Sequence, residues 1–165
     1  LLDILDNILN GPQILIGSSM GGWLMMLAAK SRPSKIIGLI GIAAAPDFTK
    51  SLYSQLSQIS KRKIKKQGFI EYKELNFTYI YTKKLFDDGK KNFILNKKLN
   101  FSKPIILLHG LKDNVISYYI SKKILEKTSS NNIQIRYLKS GNHSLSSKND
   151  IKTICNAIDN ILAIY

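Results

Sequence analysis

Short apolar runs alternate with helical patterns along most of the chain. Apolar runs bounded by Gly or Pro are typical of buried strands, and apolar positions spaced three and four apart are typical of helices. Strand, helix, strand with short connections is the crossover unit of parallel sheets. The pattern therefore predicts an α/β fold with a mostly parallel sheet. The predicted strands are Gln13–Ser18, Ile36–Ile42, 104–110 and Ile133–Leu138, and the predicted helices are 1–9, 20–30, 117–128 and 150–164.

The stretch from Asp47 to about residue 100 interrupts this pattern. It is polar, basic and aromatic, and its periodicity is weak. A helical pattern covers 49–59, a charge run covers 61–66, strand-like composition covers 72–81, and a short helical turn follows. We interpret the chain as one domain, 1–165, in which a cap of about 47–100 is inserted over the active end of the sheet.

The first predicted strand runs into the motif Gly17-Ser18-Ser19-Met20-Gly21, and a helix rich in Ala, Leu and Met comes directly after it. Strand, Gly-x-Ser-x-Gly, helix is the arrangement of a nucleophile elbow, in which a strained turn exposes the serine oxygen. Ser19 is therefore the candidate nucleophile. The N–H of Met20, at the start of the helix, is the candidate oxyanion donor. The motif alone is also compatible with two helix-capping serines at a closely packed junction.

Asp113 and His143 supply the other side chains that a serine nucleophile requires. Asp113 follows the third strand of the predicted sheet and His143 follows the fourth, at the edge where parallel sheets bind ligands. A histidine takes the serine proton, and a carboxylate holds the imidazole in one tautomer. Asp47, after the second strand, is the alternative acid, and His109, at the end of a buried strand, is the alternative base. Position favours Asp113 and His143.

Charge and hydropathy narrow the classes of partner. The 165 residues carry a formal net charge of +14, but only Arg32, Arg62 and Arg136 are arginines. Proteins that read nucleic acid depend on arginine for bidentate contacts, so we expect no nucleic-acid partner and interpret 61–66 as a solvated face. The longest apolar run, 36–46, is too short to span a bilayer, and the chain shows no targeting segment.

The single cysteine, Cys155, lies at an apolar position of the last helical pattern. A lone thiol argues against a disulfide framework and fits a reducing compartment, either the bacterial cytoplasm or an organelle. We therefore predict that Cys155 packs in the core.

Five segments together carry a family resemblance, and they are 17–24, 41–48, 85–90, 109–113 and 141–146. The chain resembles about the C-terminal two-thirds of a single-domain α/β-hydrolase. More narrowly, it resembles the group of palmitoyl-protein thioesterases and acyl-glucuronide esterases. The resemblance implies a three-layer, mostly parallel sheet with a small helical cap insertion. It also implies a triad of Ser19, Asp113 and His143 that hydrolyses esters or thioesters through an acyl-enzyme, without metal or organic cofactor. The implied substrates are small acyl esters or thioesters and S-acylated proteins.

The chain departs from this family in two ways. Asn142 precedes His143, where such enzymes often have Asp. Members also carry about four strands before the elbow, and the loop after the third supplies the second oxyanion donor. This chain begins at the helix before the elbow strand, so we expect those strands and that donor to be missing and the elbow strand to be an unpaired sheet edge. A non-catalytic fragment that binds a partner through this edge is the alternative function.

Overall fold

The computed structural model describes residues 1–74 and 77–165, which form two compact units. The first unit is Leu1–Pro46 together with Ile94–Tyr165, and the second unit is Asp47–Phe93. In chain order the elements are α1 (Leu2–Asn7), β1 (Gln13–Ser18), α2 (Met20–Ser31), β2 (Ile36–Ile42), α3 (Phe48–Gln55), α4 (Gln58–Gln67), β3 (Phe69–Glu74), β4 (Phe77–Thr82), α5 (Lys83–Lys91), β5 (Ile105–Gly110), α6 (Tyr119–Lys127), β6 (Ile133–Leu138) and α7 (Lys148–Leu162).

A parallel sheet in the order β1-β2-β5-β6 is the centre of the first unit. Helix α2 connects β1 to β2, and α6 connects β5 to β6. Every residue of β5 is buried, as the continuous apolar run predicted for a strand covered on both faces. The predicted α/β class with a mostly parallel sheet is confirmed.

Helices cover both faces of this sheet, which gives three layers. Successive strand residues point to opposite faces. Met25 of α2 lies over Gly41, and Ser121 of α6 bonds the side chain of His109 on the same face. Helix α7 packs on the other face, where the buried cluster comprises Ile40, Ile42, Ile106, Leu108, Leu145, Ala157 and Ile161.

Helix α7 begins at Lys148, two residues earlier than predicted, because a capping box starts it. Ser147 Oγ accepts from the Asp150 N–H at 3.2 Å, and Asp150 Oδ2 accepts from the Ser147 N–H at 3.1 Å. The prediction that Cys155 packs in the core is wrong, because its side chain is exposed. The buried stripe of α7 passes instead through Ala157 and Ile161, which are four residues apart on one face.

Helix α1 is held by charge as well as by packing. Leu5 is buried, while the Asp6 carboxylate pairs with Arg32 at 2.8 Å and with Lys35 at 3.0 Å. These two cations lower the pKa of Asp6 from 3.8 to about 2. The ion pairs therefore tie α1 to the end of α2 and to the turn that precedes β2.

The second unit contains α3, α4, a hairpin of β3 with β4, and α5. The prediction of one helix over 49–59 is wrong, because the chain breaks after Gln55. Leu56 has extended backbone, and Ser57 Oγ then accepts from the Ser60 N–H at 3.1 Å as the cap of α4. The charge run 61–66 lies within α4, whose Ile64 is buried.

The strand-like composition of 72–81 corresponds to the antiparallel hairpin, of which residues 75 and 76 lie outside the described residues. A cavity of about 460 Å³ lies within this unit, and the buried side chains of Ile64 and Phe86 are part of its lining. Among the described residues of both units, no helix is apolar over a length that would cross a membrane.

Candidate active site

Ser19 lies at the turn between β1 and α2, in a backbone conformation that non-glycine residues rarely adopt. Its φ is 50° and its ψ is −119°, and such strain concentrates at functional sites. Two hydrogen bonds to the end of β2 and the residues after it hold the turn. The Ser19 N–H donates to Ile42 O at 2.9 Å, and Ser19 O accepts from the Ala45 N–H at 3.0 Å. The strand and helix that the sequence predicted around Ser19 thus form the expected sharp turn.

Gly17 and Gly22 allow this turn to close. A Cβ built at Gly17 would lie 2.6 Å from the carbonyl carbon of Gly21, and one built at Gly22 would lie 2.8 Å from the Cα of Ala44. Real side chains do not reach backbone atoms at such distances. Gly17 of the motif and Gly22, which directly follows it, are therefore required by close approach of the first turn of α2 to β1 and to the end of β2.

Ser19, His143 and Asp113 lie together at the carboxyl ends of β1, β6 and β5. Ser19 Oγ is 3.2 Å from His143 Nε2, and His143 Nδ1 is 2.8 Å from Asp113 Oδ2. Because the carboxylate accepts at Nδ1, the hydrogen of a neutral imidazole is held there and Nε2 faces the serine hydroxyl. A nucleophile, a general base and an acid that orients the base would require contacts of this kind.

The Asp113 carboxylate is buried, with no exposed side-chain surface. Burial by itself would raise its pKa, yet hydrogen bonds hold the pKa of Asp113 below its ordinary value. The Ile116 N–H donates to Oδ1 at 2.9 Å, the His143 ring binds Oδ2, and the Val115 N–H donates to Oδ1 at 2.9 Å. The group is therefore kept ionised and fixed in place, as an orienting acid requires.

Met20, the predicted oxyanion donor, is the first residue of α2. The first amides of a helix have no partner within the helix, and they are positioned to bind developing negative charge. The Met20 N–H directly follows the Ser19 turn, so it is suited to the oxyanion formed when Ser19 Oγ attacks a carbonyl.

The two alternative residues are placed differently from the favoured ones. Asp47 begins the second unit with a φ of 59°, at the N-terminus of α3. His109 is wholly buried; its Nδ1 is 2.9 Å from Ser121 Oγ, and its Nε2 is 3.0 Å from the carbonyl of Ile116. The sequence analysis missed one further contact, since His109 Nε2 also lies 3.2 Å from Asp113 Oδ2. The spacing of four residues between His109 and Asp113 is the one sequence signal that could have indicated it.

In the part of the chain that the structure describes, no three His, Cys, Asp or Glu side chains are grouped so that they could hold a metal ion.

Comparison with known proteins identifies relatives of the chain. No family model matches the chain. The mitochondrial palmitoyl-protein thioesterase ABHD10 of Homo sapiens is 32% identical over 168 residues, which covers 98% of this chain and 54% of the relative. The Mus musculus protein of that name is 34% identical over 166 residues, covering 98% and 55%. The chain thus spans about half the length of the curated relatives it matches.

Solved structures agree with these relatives. The mouse alpha/beta hydrolase domain-containing protein 10 superposes with a TM-score of 0.87 at 32% identity, covering 98% of this chain and 66% of that one. A putative hydrolase from Agrobacterium vitis S4 superposes with a TM-score of 0.91 at 27% identity, covering 97% and 65%. With the fold, the elbow and the relatives in agreement, the chain belongs to the α/β-hydrolase superfamily and is similar within it to the ABHD10 palmitoyl-protein thioesterases.

Proposed function

We propose that the chain carries the catalytic residues of a serine hydrolase that cleaves carboxylic esters or thioesters. The observation that supports this most directly is the continuous line of contacts from Ser19 Oγ through the His143 ring to Asp113 Oδ2, with separations of 3.2 Å and 2.8 Å. A serine hydroxyl is a weak nucleophile unless a neighbouring base takes its proton. Both contacts required for that activation are present.

In the proposed reaction, Ser19 Oγ attacks the acyl carbon while His143 Nε2 takes the hydroxyl proton. The carbonyl oxygen becomes an oxyanion, and the Met20 N–H donates to it. The tetrahedral intermediate then loses the alcohol or thiol, which leaves with the proton from His143, and an ester to Ser19 remains. Water attacks that ester with His143 again as base, so that a carboxylic acid is released and the serine is restored.

The relatives suggest the class of substrate. They are named palmitoyl-protein thioesterases, so we propose acyl thioesters and esters, including S-acylated proteins, for this chain. A fluorophosphonate probe tests the mechanism, because it phosphonylates an activated serine.

The two adjacent serines give a matched pair for that experiment. Ser19→Ala should abolish labelling, whereas Ser18→Ala should leave it largely unchanged, because the described contact to His143 belongs to Ser19. Labelling that survives Ser19→Ala would exclude the proposed nucleophile. A chain that binds a protein partner but neither labels nor hydrolyses an ester would instead support the non-catalytic alternative.

We further propose that the second unit, as a cap, selects the acyl group. Its cavity of about 460 Å³ combines the aromatic rings of Tyr53, Phe86 and Phe93 with the side chains of Lys50 and Lys90. A volume of this size suits a small organic ligand, and the aromatic rings give an acyl chain an apolar surface to contact.

Narrowing the cavity with Phe93→Trp should shift the preferred ester in a chain-length series toward shorter acyl groups. The same enlargement at Tyr72→Trp, on the hairpin outside the cavity lining, is the control and should leave the preference unchanged. Equal profiles for both variants would exclude a selective role for this cavity.

A further inference from the structure

His109 is the buried side chain that contacts Asp113 from within the fold. It has no exposed surface, and it is one of two histidines in the sequence. The proposed reaction does not use its ring, and its position on β5 is four residues before the carboxylate. His109 therefore contacts the proposed acid of the triad without taking part in the proposed reaction.

The contacts of His109 determine its tautomer. Nε2 faces two acceptors, the carbonyl of Ile116 at 3.0 Å and Asp113 Oδ2 at 3.2 Å. Neither can donate, since Asp113 is ionised, so Nε2 carries the hydrogen. Nδ1 is then an acceptor for the hydroxyl of Ser121 at 2.9 Å. Both ring nitrogens are satisfied by a neutral imidazole, which is held at one end by α6 and at the other by the turn after β5.

Ile116 connects this imidazole to the carboxylate. Its carbonyl accepts from His109 Nε2, and its own N–H donates to Asp113 Oδ1 at 2.9 Å. His109 therefore holds the peptide chain that holds one oxygen of Asp113. The other oxygen, Oδ2, accepts from His143 Nδ1 at 2.8 Å and lies beside the same Nε2–H.

We propose that His109 is a positioning residue for the triad: as a neutral Nε2–H tautomer it fixes the 113–116 turn and the Asp113 carboxylate, and thereby the orientation of His143. The inference rests on the proposed function, because it gives His109 a role in that reaction. It makes a claim about the Asp113 carboxylate, however, that can be measured without any turnover. A side chain that only fills the core would need no donor at the Nε2 position.

Two amide variants separate these roles. The amide nitrogen of His109→Gln can occupy the place of Nε2 and keep a donor for the Ile116 carbonyl. The shorter side chain of His109→Asn reaches only the place of Nδ1 and leaves that carbonyl without its donor. Ser130→Ala is the stability control, because it removes a buried hydroxyl that bonds the Lys103 carbonyl at 2.8 Å, at the opposite end of β5.

Three quantities are measured for each variant: the rate of fluorophosphonate labelling, the pH titration of the Asp113 carboxyl carbon by NMR, and hydrogen exchange of the Val115 and Ile116 amides. We expect His109→Asn to slow labelling by about tenfold to a hundredfold, to raise the pKa of Asp113 toward its ordinary value, and to speed exchange of both amides. His109→Gln should retain all three properties to within about threefold of the wild type, an effect well below that of a misplaced base.

The result that overturns the proposal is an Asp113 titration and amide exchange in His109→Asn that match those of Ser130→Ala. The proposal would also be overturned if His109→Gln did not retain the labelling rate, the Asp113 titration and the amide exchange that His109→Asn changes. The donor at the Nε2 position would then not be what positions the carboxylate. If the wild type does not label at all, the proposed function fails, yet the Asp113 titration and the amide exchange still decide whether His109 positions the carboxylate.

Discussion

An alanine in place of Gly110 should move the loop that carries His143. Gly110 is the last residue of β5. A Cβ built there would lie 2.7 Å from the carbonyl oxygen of Asn142 and closer still to the carbonyl of Gly141. These are backbone atoms, so they cannot rotate away as a flexible side chain does. Restoring ordinary contact requires the loop to shift by about 1 Å, the displacement that typically misplaces a catalytic group.

The size of the effect follows from that displacement. Overpacking of a closely packed site typically costs about 1–3 kcal/mol in the free energy of unfolding. The Gly141 carbonyl also accepts from the Lys112 N–H at 2.9 Å, next to Asp113, so a moved loop weakens a bond beside the acid as well. A shift of about 1 Å at the base is expected to slow the reaction by about a hundredfold. Fluorophosphonate labelling of Gly110→Ala should fall accordingly.

Gly21→Ala is the matched control for stability. Gly21 lies in α2, its φ is not positive, and nothing lies within 4 Å of a Cβ built there. Alanine at such a position is expected to raise the free energy of unfolding by about 0.4–1 kcal/mol, because it restricts the unfolded chain. The two glycine variants should therefore change stability in opposite directions.

Urea denaturation followed by the fluorescence of Trp23 gives both free energies, since Trp23 is the single tryptophan and is buried. Comparing the two variants at equal m-value tests the folded-state argument directly. Wild-type stability and labelling in Gly110→Ala would refute the reasoning from close approach. Equal destabilisation by Gly21→Ala would show that a methyl group added at either glycine lowers the free energy of unfolding. The effect of Gly110→Ala could then not be assigned to the loop that carries His143.

Three other changes test separate parts of the fold. Asp113→Asn should lower labelling by about three to four orders of magnitude, because an amide no longer holds the imidazole in the required tautomer; near-normal labelling would contradict the role of the acid. Asp6→Asn should destabilise the chain at neutral pH, and the difference in unfolding free energy from the wild type should disappear as pH falls from 3.8 through about 2. The pKa of Asp6 is lowered in the folded chain, so its pairs with Arg32 and Lys35 contribute stability above that range and lose it within the range. Urea midpoints from about pH 2 to 5 measure the difference, and a difference independent of pH would contradict the prediction. Ser147→Ala should lower the unfolding free energy by about 1 kcal/mol, because it removes the cap of α7. Thermal unfolding measures the change, with Ser144→Ala, outside the capping box, as the control; equal stability of the two variants would contradict the prediction.

The centre of the sheet in the first unit was predictable because β2 and β5 are buried on both faces. Such strands read as continuous apolar runs, and β2 and β5 were found at or within one residue of their predicted bounds. The second unit has no comparable signal. Its helix break at Leu56 depends on the extended backbone and the Ser57 cap, and its hairpin presents aromatic residues on both faces, so neither shows a clean period.

Cys155 shows that the apolar pattern of α7 did not predict which of its residues are buried. Residues 151, 154, 155, 158 and 161 all fit a broad apolar stripe in sequence, but the helix buries a narrower one. The sheet meets α7 along Ala157 and Ile161, and that contact determines the rotation of the helix about its axis. The period of a pattern gives a helix and an approximate face, whereas packing against a partner decides which edge of that face is covered.

By itself the sequence determined the class of fold, and it predicted the turn at Ser19 and the grouping of Asp113 and His143 with that serine, because these depend on local order: strand, turn, helix, and polar residues after strand ends. Only the tertiary structure decided how the carboxylate is held. His109 and Asp113 are four residues apart in the chain, but Ser121 and His143 come from other segments. Hydrogen bonds across such separations arise from how the sheet and its crossovers pack, and no periodicity along the chain encodes them.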